Sequence, residues 1–332
     1  MSRRVTIIPG DGIGPEVVEA ARSVVDALKL GFTWDYQEAG LAAQSSSGDA
    51  LPEKTLESIR ANKVALKGPT TTPVGSGHKS ANVRLRQALE LFASIRPVRS
   101  WAGVSSRYTN VDLLVVRENT EGLYKGLEHE ITPGTVVSLK VVTQKASRRI
   151  AEAAFRLARA QGRQKVTVAH KANILKLGDG LFLNCAREVA SSFSDVPIND
   201  MIVDGLCMKL VANPSAFDVI LAENLYGDIL SDLCAGLVGG LGLAPGANIG
   251  EDAAVFEAVH GSAPDIAGKG IANPIAMILS ASLMLRHMEK IRAANSIDAA
   301  VAKCLLEGTT KTPDLGGGAT TKELTRAIIE QI

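Results

Sequence analysis

The sequence predicts an α/β protein in which mostly parallel sheets are flanked by helices. Short apolar segments with strand character alternate along the chain with longer amphipathic segments. This alternation is typical of strand–helix–strand units that build a parallel sheet. A chain of 332 residues is long enough for two domains, each with its own apolar core. We therefore expect a two-domain α/β fold.

The individual elements follow from local patterns. Strands are expected at residues 5–8, 64–67, 113–116, 166–169 and 218–222, and helices are expected to begin near Pro15, Ser80 and Tyr226. Residues 120–145 break the alternation, because a Pro-Gly pair separates two segments rich in β-branched residues. We expect a β excursion there, with an arm at about residues 125–145 that reaches a neighbouring subunit. From Gly236 onward glycine becomes frequent, which predicts a long functional loop region.

The composition argues against several functional classes. The 36 basic and 35 acidic side chains nearly cancel and aromatic content is 4%, so we expect neither a nucleic acid nor a membrane as a partner. No apolar run reaches the roughly 20 residues that a membrane helix needs. Four scattered cysteines predict reduced thiols, and a strand close to the N-terminus leaves no room for a targeting peptide. These features together predict a cytoplasmic protein.

Two aspartates in the segment N-L-Y-G-D-I-L-S-D provide the sharpest local signal. Asp228 and Asp232 are four residues apart near the start of a predicted helix, so their carboxylates project from one face. No Lys or Arg lies within one helical turn to neutralise them. Such hard oxygen ligands suit Mg²⁺ or Mn²⁺, and Asp204 in M-I-V-D-G is a candidate third ligand. The alternative is a solvated helix start, where acids interact favourably with the helix dipole.

A second group of polar residues is suited to a substrate with several carboxylates. Its members are Ser80, Asn82 and Arg86 in S-A-N-V-R-L-R, Arg96 in I-R-P, and Arg117 in V-V-R-E-N-T-E-G. A guanidinium group binds a carboxylate through two hydrogen bonds and does not lose its charge. Ser80 could instead cap the helix that it opens, and Asn82 and Arg86 could be ordinary surface residues beside an apolar stripe.

Two residues are candidates for proton transfer. Lys171 follows an apolar strand in V-T-V-A-H-K-A-N, where a nearby metal could lower its pKa enough for it to act as a base. Tyr124 in R-E-N-T-E-G-L-Y-K-G carries a phenol that could donate a proton. By themselves, the lysine could be a surface cation and the tyrosine a packed aromatic residue.

The glycine-rich segment P-G-D-G-I-G-P-E, residues 9–16, lies between the first strand and the first helix. Its spacing departs from the dinucleotide-binding fingerprint, because Gly14 comes too early and Pro15 opens the helix. A tight turn explains the segment equally well. We therefore expect the cofactor site elsewhere.

Taken together, these segments resemble the decarboxylating dehydrogenases of β-hydroxy acids, the family of isocitrate, isopropylmalate and homoisocitrate dehydrogenases. The segments G-D-G-I-G-P-E, R-E-N-T-E-G, H-K-A-N, N-L-Y-G-D-I-L-S-D and H-G-S-A-P-D-I-A-G-K-G-I-A-N-P occur in the family's order. The likeness runs along the whole chain and looks closest to the NAD-dependent isocitrate dehydrogenases. It implies a fold unlike the usual Rossmann fold. Residues 1–98 and 250–332 would form a large cofactor-binding domain, and residues 99–249 a small domain with dimerisation helices.

The resemblance also implies a reaction and the residues that perform it. Isocitrate would be oxidised by NAD and decarboxylated to 2-oxoglutarate, with its carboxylates held by the five polar residues of the second group. The three aspartates would hold Mg²⁺ or Mn²⁺, Lys171 would be the base or relay to it, and Tyr124 would protonate C3. Lys171 and Asp204 would come from the partner subunit of a homodimer, or of a larger oligomer, with shared active sites.

The cofactor residues implied by the resemblance come mostly from the C-terminal half: Thr72, Glu257, His260, Gly261, Ala263, Asp265, Ile266 and Asn273. The carboxylate of Asp265 can accept hydrogen bonds from both adenosine ribose hydroxyls and would repel a 2′-phosphate. NADP-using relatives generally carry a Lys-Tyr pair at the positions of Asp265 and Ile266. NAD is therefore the predicted cofactor.

Alternatives to isocitrate remain within this family. Isopropylmalate-type members usually carry a glutamate and leucines where this chain has S-A-N-V-R-L-R. Homoisocitrate members tend to add an arginine or a histidine, so His78 and Arg84 keep that substrate open. Leu123 is a departure, since NAD-linked isocitrate dehydrogenases often carry Glu there. A non-catalytic regulatory subunit of a hetero-oligomeric isocitrate dehydrogenase is the alternative from another class.

Overall fold

The computed structural model describes residues 4–72 and 80–332. The chain divides into two compact units, which we call unit 1 and unit 2. Unit 1 comprises Met1–Leu91, Ser100–Thr109 and Val238–Ile332, and unit 2 comprises Phe92–Arg99 and Asn110–Leu237. The domain boundaries expected at residues 98/99 and 249/250 stay a prediction.

The described residues form twelve strands and eleven α-helices. The strands are β1 Arg4–Ile8, β2 Thr33–Tyr36, β3 Val64–Lys67, β4 Ala93–Arg99, β5 Asp112–Glu118, β6 Gly122–Thr132, β7 Thr135–Val141, β8 Val166–His170, β9 Ile198–Ile202, β10 Val219–Ala222, β11 Pro245–Ile249 and β12 Ala254–Ala258. The helices are α1 Gly14–Ala27, α2 Leu41–Ser47, α3 Glu53–Asn62, α4 Ala81–Ala88, α5 Gln144–Ala160, α6 Gly178–Ala190, α7 Val203–Ala212, α8 Asn224–Leu237, α9 Ile275–His287, α10 Ile291–Glu307 and α11 Thr321–Ile329.

Unit 1 contains a sheet with the strand order β2-β1-β3-β12-β11. Its neighbouring strands pair in parallel, except that β11 and β12 are antiparallel. Helix α9 packs against β3, β11 and β12, and α3 packs against β1 and β3. Strands β1, β3 and β12 are mostly apolar and buried, with Ile7, Leu66 and Phe256 among the fully buried side chains, whereas the residues of β2 are exposed or half-buried.

The sheet strands of unit 2 pair in the order β4-β5-β10-β8-β9. Here β4 is antiparallel to β5, whereas β5, β10, β8 and β9 are parallel. Helices α5 and α8 pack against β5 and β10, and α6 packs against β8 and β9. The predicted α/β class with mostly parallel sheets flanked by helices is therefore confirmed.

The predicted β excursion is a hairpin made of β6 and β7. Its turn contains Pro133 and Gly134, and Gly134 has a φ of +79°, a left-handed conformation that glycine adopts without steric cost. Side chains along this arm are largely exposed, among them Ile131 and Val136 at 60% and 61%. A single chain therefore leaves apolar surface of the arm uncovered.

The glycine-rich region after Gly236 is more regular than the sequence indicated. We expected a long loop, but residues 245–249 form the buried strand β11. Its small residues suit a strand packed beneath α9, because short side chains let the helix approach closely. No helix in residues 4–72 and 80–332 is long and apolar enough to cross a membrane.

Candidate active site

The carboxyl ends of the parallel strands gather the candidate residues of unit 2. Arg117 is the second-last residue of β5, and Asp204 lies just beyond β9. Lys171 directly follows β8, and Glu223 directly follows β10. Since parallel strands end at the same edge of a sheet, these side chains share one edge. In open α/β sheets, ligands bind at this edge.

Arg117 is fully buried and is held by the start of α8. Its Nη2 donates to Oδ1 of Asn224 at 2.7 Å, and its Nε donates to the same oxygen at 3.1 Å. Its Nη1 donates to Oδ1 of Asp228. These bonds fix the buried guanidinium in position before any ligand binds.

Gly227 explains how α8 can lie against this arginine. A Cβ atom at position 227 would lie 2.5 Å from Cγ and 2.6 Å from Cβ of Arg117. Such separations are too short for non-bonded carbon atoms, so only glycine fits without displacing the arginine. The sequence motif therefore contains a packing requirement in addition to its acids.

Tyr124 joins the same cluster. Its hydroxyl donates to Oδ2 of Asp228, and the guanidinium of Arg117 lies 5.0 Å from the centre of its ring. Burial raises the pKa of the Tyr124 phenol, and the bond to the Asp228 carboxylate raises it further. The phenol therefore keeps its proton near neutral pH and remains able to donate it.

The aspartates of α8 are not unpaired, as the local sequence suggested. Arg96 on β4 places Nη1 3.1 Å from Oδ1 of Asp228 and 3.6 Å from Oδ1 of Asp232. The same nitrogen donates to Oγ of Ser231 at 2.5 Å. Arg96 on β4 and Arg117 on β5 are both distant from α8 in sequence, so the sequence of the helix alone cannot reveal that they pair with its aspartates. No Lys or Arg lies within one helical turn of these aspartates, as the sequence indicated, but cations from other strands pair with them.

Lys171 and Asp204 form a second group. Nζ of Lys171 lies 2.5 Å from Oδ1 of Asp204. The lysine side chain is 29% exposed and the aspartate 69%. The bond to Lys171 lowers the pKa of the Asp204 carboxyl. Both side chains are thus partly accessible to another molecule.

The structure does not assemble all three predicted metal ligands within one chain. Among the residues that it describes, no three His, Cys, Asp or Glu side chains form a metal-binding group. Asp228 and Asp232 nevertheless fit a hard divalent cation as a pair, because their side chains are 33% and 56% exposed and share one helix face. Mg²⁺ typically takes one or two carboxylates and completes its shell with water and substrate oxygens.

Several residues around the site gave no signal in the sequence. Lys140 on β7 contacts Asp179 on α6, and its Nζ lies 2.5 Å from Oε1 of Glu223. Asp179 also accepts the backbone N–H of Lys171 at 2.6 Å. Burial raises the pKa of the Glu223 carboxyl to about 7, although Lys140 lowers it. These residues lie far apart in sequence, so only the strand order could have brought them together.

In unit 1, the loops after β1, β3 and β12 meet at the carboxyl edge of the sheet. Ile13 N–H donates to the carbonyl of Ser262 at 2.9 Å, and a Cβ at Gly12 would lie 1.9 Å from that oxygen. The carboxylate of Asp11 accepts from the backbone N–H groups of Leu41 at 2.9 Å and Thr71 at 2.7 Å. The glycine-rich segment is therefore a tight turn filled by its own chain, which favours the tight-turn interpretation over a dinucleotide-binding loop.

Glu257 is the centre of a buried ion network. Its carboxylate accepts from Lys67 at 2.6 Å, from Arg86 at 3.0 Å and from Asn248 at 2.8 Å. Burial alone would raise the pKa of Glu257, but the charges of Lys67 and Arg86 outweigh it and lower the pKa well below its usual range. Arg86 is thus held by a carboxylate of the protein, while its Nε is buried without a partner among the described residues.

The remaining predicted substrate residues lie at the start of α4. Oδ1 of Asn82 accepts from the Thr70 hydroxyl at 2.9 Å, and Oγ of Ser80 accepts from the Thr72 hydroxyl at 3.0 Å. Ser80 makes no side-chain capping bond, so the capping alternative is wrong. His78 lies outside the described residues.

Apart from Glu257, which lies in β12, the predicted cofactor residues of the C-terminal half follow that strand. His260 donates from Nδ1 to the carbonyl of Gly261 at 3.0 Å, and its buried Nε2 has no partner among the described residues. Burial lowers the pKa of His260, so the ring is neutral and Nε2 offers a lone pair. Asn273 is held by Asp314 at 2.9 Å, and Asp265 is exposed. A buried acceptor without a partner and an exposed carboxylate in the same segment fit a nucleotide rich in hydroxyl and amide donors.

Comparison with known proteins identifies the family. The family model described as isocitrate/isopropylmalate dehydrogenase matches residues 4–331.

The chain belongs to the isocitrate/isopropylmalate dehydrogenase family.

Two curated relatives and one solved structure illustrate the similarity. The chain is 50% identical over 328 residues to the isocitrate dehydrogenase [NAD] catalytic subunit 5, mitochondrial, of Arabidopsis thaliana, covering 98% of this chain and 88% of the relative. It is also 50% identical over 306 residues to the 3-isopropylmalate dehydrogenase, chloroplastic, of Solanum tuberosum, covering 92% and 86%. The crystal structure of isocitrate dehydrogenase from Methylococcus capsulatus matches with a TM-score of 0.97 and 52% identity over 99% of this chain and 98% of that chain.

The predicted membership of this family, with its likeness to NAD-dependent isocitrate dehydrogenases, is therefore confirmed. The chain is an oxidoreductase of the isocitrate/isopropylmalate dehydrogenase type.

The predicted cytoplasmic location needs correction. The Arabidopsis relative is named as a mitochondrial protein, as are the human and Drosophila melanogaster relatives, so the comparisons contradict the prediction. The four cysteines are free thiols, as expected.

Proposed function

We propose that the chain catalyses the NAD-dependent oxidative decarboxylation of isocitrate to 2-oxoglutarate and CO₂. The observation that carries this proposal is the cluster of Arg96, Arg117, Tyr124, Asp228 and Asp232 at the carboxyl edge of the unit 2 sheet. Two buried arginines and a protonated phenol contact the carboxylate of Asp228, and Arg96 also lies 3.6 Å from the carboxylate of Asp232. A tricarboxylate bound to a divalent cation needs this combination of groups.

The arginines would bind and orient the substrate. Arg96 and Arg117 are fixed by Ser231 and Asn224, so little side-chain entropy would be lost when a substrate carboxylate binds. Ser80 and Asn82 would meet the γ-carboxylate, and Arg86 could use its unpartnered Nε. This set distinguishes a tricarboxylate from a substrate that carries an isopropyl group in place of the third carboxylate.

Proton transfer would use two side chains. Lys171 would accept the proton of the C2 hydroxyl directly or through a relay, and Tyr124 would return a proton to C3 after CO₂ leaves. Mg²⁺ or Mn²⁺, held by Asp228, Asp232 and Asp204, would polarise the oxygen on C2 and stabilise negative charge on it. NAD, bound near His260 and Asp265, would accept the hydride from C2.

The separation of these residues into two groups supports a shared active site. Lys171 and Asp204 contact each other, whereas Tyr124, Asp228 and Asp232 lie around the arginines. We therefore propose a homodimer, or a larger oligomer, in which Lys171 and Asp204 of one subunit complete the site of the other. The exposed apolar side chains of the β6–β7 arm are consistent with such an assembly: Leu127, Ile131, Val136 and Leu139.

The alternatives are another substrate of the same family and a non-catalytic role. The 3-isopropylmalate dehydrogenase of Solanum tuberosum is as similar as the Arabidopsis isocitrate dehydrogenase subunit, so 3-isopropylmalate and homoisocitrate need to be tested as substrates. A regulatory subunit would bind ligands without turnover. The presence of Tyr124, Lys171 and all three aspartates argues against that role, since a non-catalytic subunit has no need of them.

The role of Tyr124 can be tested with Tyr124→Phe, which removes only the hydroxyl. Turnover of isocitrate should fall by about 100-fold, because C3 loses its proton donor, while reduction of added oxalosuccinate by NADH should fall far less. Both rates are measured by absorbance of NADH, with the wild type as the control. Equal losses in the two reactions would contradict the assignment of Tyr124 as the acid.

A further inference from the structure

A buried histidine that the proposed mechanism does not use precedes Lys171. His170 ends β8 and is 7% exposed. Its Nε2 lies 3.1 Å from Oδ2 of Asp200 on β9, and its Nδ1 lies 3.1 Å from the backbone nitrogen of Ala172. Both ring nitrogens are therefore engaged, and the contacts involve the residues on both sides of the lysine.

These contacts select one tautomer of the ring. A backbone N–H can only donate, so Nδ1 of His170 presents its lone pair to Ala172. The proton of the neutral ring then lies on Nε2 and is donated to Asp200. Oδ1 of Asp200 accepts from Nη2 of Arg187 at 2.8 Å. Burial alone would raise the pKa of Asp200, but the bonds from Arg187 and His170 lower it, so Asp200 is an ionised acceptor.

The backbone of Lys171 itself is held at both of its polar groups. Its N–H donates to Oδ2 of Asp179 at 2.6 Å, and its carbonyl accepts from the N–H groups of Ile174 and Leu175, both at 2.9 Å. The next peptide is held by His170 through the Ala172 N–H. The position from which Nζ reaches Asp204 is thus set by the backbone on either side of the lysine.

We propose that His170 is a positioning residue for Lys171, acting through the hydrogen bond from the Ala172 N–H to its Nδ1. The ring fixes the peptide that follows the lysine, and Asp200 keeps the proton on the far nitrogen so that Nδ1 can accept. The importance of this position for catalysis rests on the proposed function, in which Lys171 is the base or its relay. A displacement of about 1 Å at such a group can cost about 100-fold in rate.

Two substitutions of His170 separate its two hydrogen bonds. His170→Asn places an amide oxygen near the position of Nδ1 and loses the bond to Asp200. His170→Gln extends its amide toward the position of Nε2 and leaves the Ala172 N–H without an acceptor. We expect kcat for isocitrate to stay within about threefold of the wild type in H170N and to fall at least about tenfold in H170Q, with KM changed less. Equal effects of both variants would overturn the proposal.

Two substitutions of Asp200 test the tautomer. In Asp200→Asn the amide oxygen is required by Arg187, so the NH₂ group faces His170. The ring must then accept at Nε2 and carry its proton on Nδ1, where it opposes the Ala172 N–H. Asp200→Ala leaves the tautomer free. We expect D200N to lower kcat more than D200A does, although D200N is the more conservative change in shape. A milder effect of D200N would overturn the proposal.

Hydrogen exchange of the Ala172 amide provides a measurement independent of activity. The exchange is carried out on the intact folded protein and read at this amide by mass spectrometry. Compared with the wild type, it should be at least about tenfold faster in H170Q and D200N, and unchanged in H170N. Unchanged exchange in all variants would overturn the proposal. If the wild type fails to oxidise isocitrate, the proposed function fails, while the exchange rates still decide whether His170 holds this peptide. Thermal midpoints of all variants show whether they are folded.

Discussion

Gly227 allows a sharp test of the substrate site, because a single methyl group is expected to displace a buried arginine. Gly227→Ala would place Cβ 2.5 Å from Cγ of Arg117, about 0.9 Å short of the 3.4 Å at which ordinary van der Waals contact begins. Arg117 is fully buried and tied to Asn224 and Asp228, so it cannot swing away without breaking these bonds. The guanidinium or the start of α8 must therefore shift by nearly 1 Å.

A shift of this size at a residue that we propose orients the substrate should lower kcat/KM for isocitrate by about 100-fold. The assay is NADH formation at saturating NAD and Mg²⁺ with varied isocitrate. Gly236→Ala is the matched control, since Gly236 lies in the same helix and a Cβ there meets nothing within 4 Å. This control should keep its activity within about twofold and gain up to about 1 kcal/mol of stability, because alanine favours a helix interior.

The two variants also separate function from folding. Thermal midpoints should show that G227A remains folded, since the strain is confined to one contact. A folded G227A enzyme with the kcat/KM of the wild type would refute the reasoning that Arg117 must keep its position against α8.

Three further predictions concern the base, the cofactor and a buried acid. Lys171→Met should lower kcat by at least about 100-fold without lowering the thermal midpoint by more than a few degrees, and near-normal turnover would contradict its role. Replacing Asp265 by Lys together with Ile266 by Tyr should shift the preference from NAD toward NADP in parallel assays, because a cation would replace a carboxylate that would repel a 2′-phosphate. An unchanged cofactor preference would count against the proposed role of Asp265. The pKa of Glu223 is raised from 4.5 to about 7 by burial, against the effect of Lys140, so the wild type should lose stability as the pH rises through this window. Between about pH 5 and about pH 8, the free energy of unfolding of Glu223→Gln, measured in urea, should fall by about 2 kcal/mol less than that of the wild type. An identical pH dependence of the two proteins would argue against the raised pKa.

The sequence predicts those parts of the site that depend on local geometry. Asp228 and Asp232 could be placed on one face because helical periodicity relates residues four positions apart. Lys171 could be placed at the end of a strand because the apolar segment before it is short and bounded. Both inferences need only a few neighbouring residues, and the structure agrees with the placement of these residues.

The partners of these residues could not be predicted in the same way. Arg117 and Asp228 are separated by 111 positions, and Arg86 and Glu257 by 171. Such contacts depend on which strands are neighbours in the sheet, and no local pattern determines that order. The same reason explains why the acids of α8 looked unpaired and why the network of Lys140 gave no signal.

The motif resemblance supplied what local patterns could not, and it has its own limits. It indicated the family, which the comparisons confirm. It did not indicate that Arg86 would be bound to Glu257 inside unit 1, because a motif gives the identity of a residue and not its contacts. It also carried no information on the cellular compartment, where the prediction was wrong.

The most direct test of the central claim is NADH formation by the purified chain alone, with Mg²⁺, NAD and one of three acids. Isocitrate, homoisocitrate and 3-isopropylmalate are offered in parallel at equal concentrations. Our account predicts turnover with isocitrate and a kcat/KM for the other two acids lower by at least about tenfold. The reason is that 3-isopropylmalate has no third carboxylate, and the extra methylene of homoisocitrate displaces its third carboxylate. A preference for 3-isopropylmalate, or no turnover with any of the three, would contradict it.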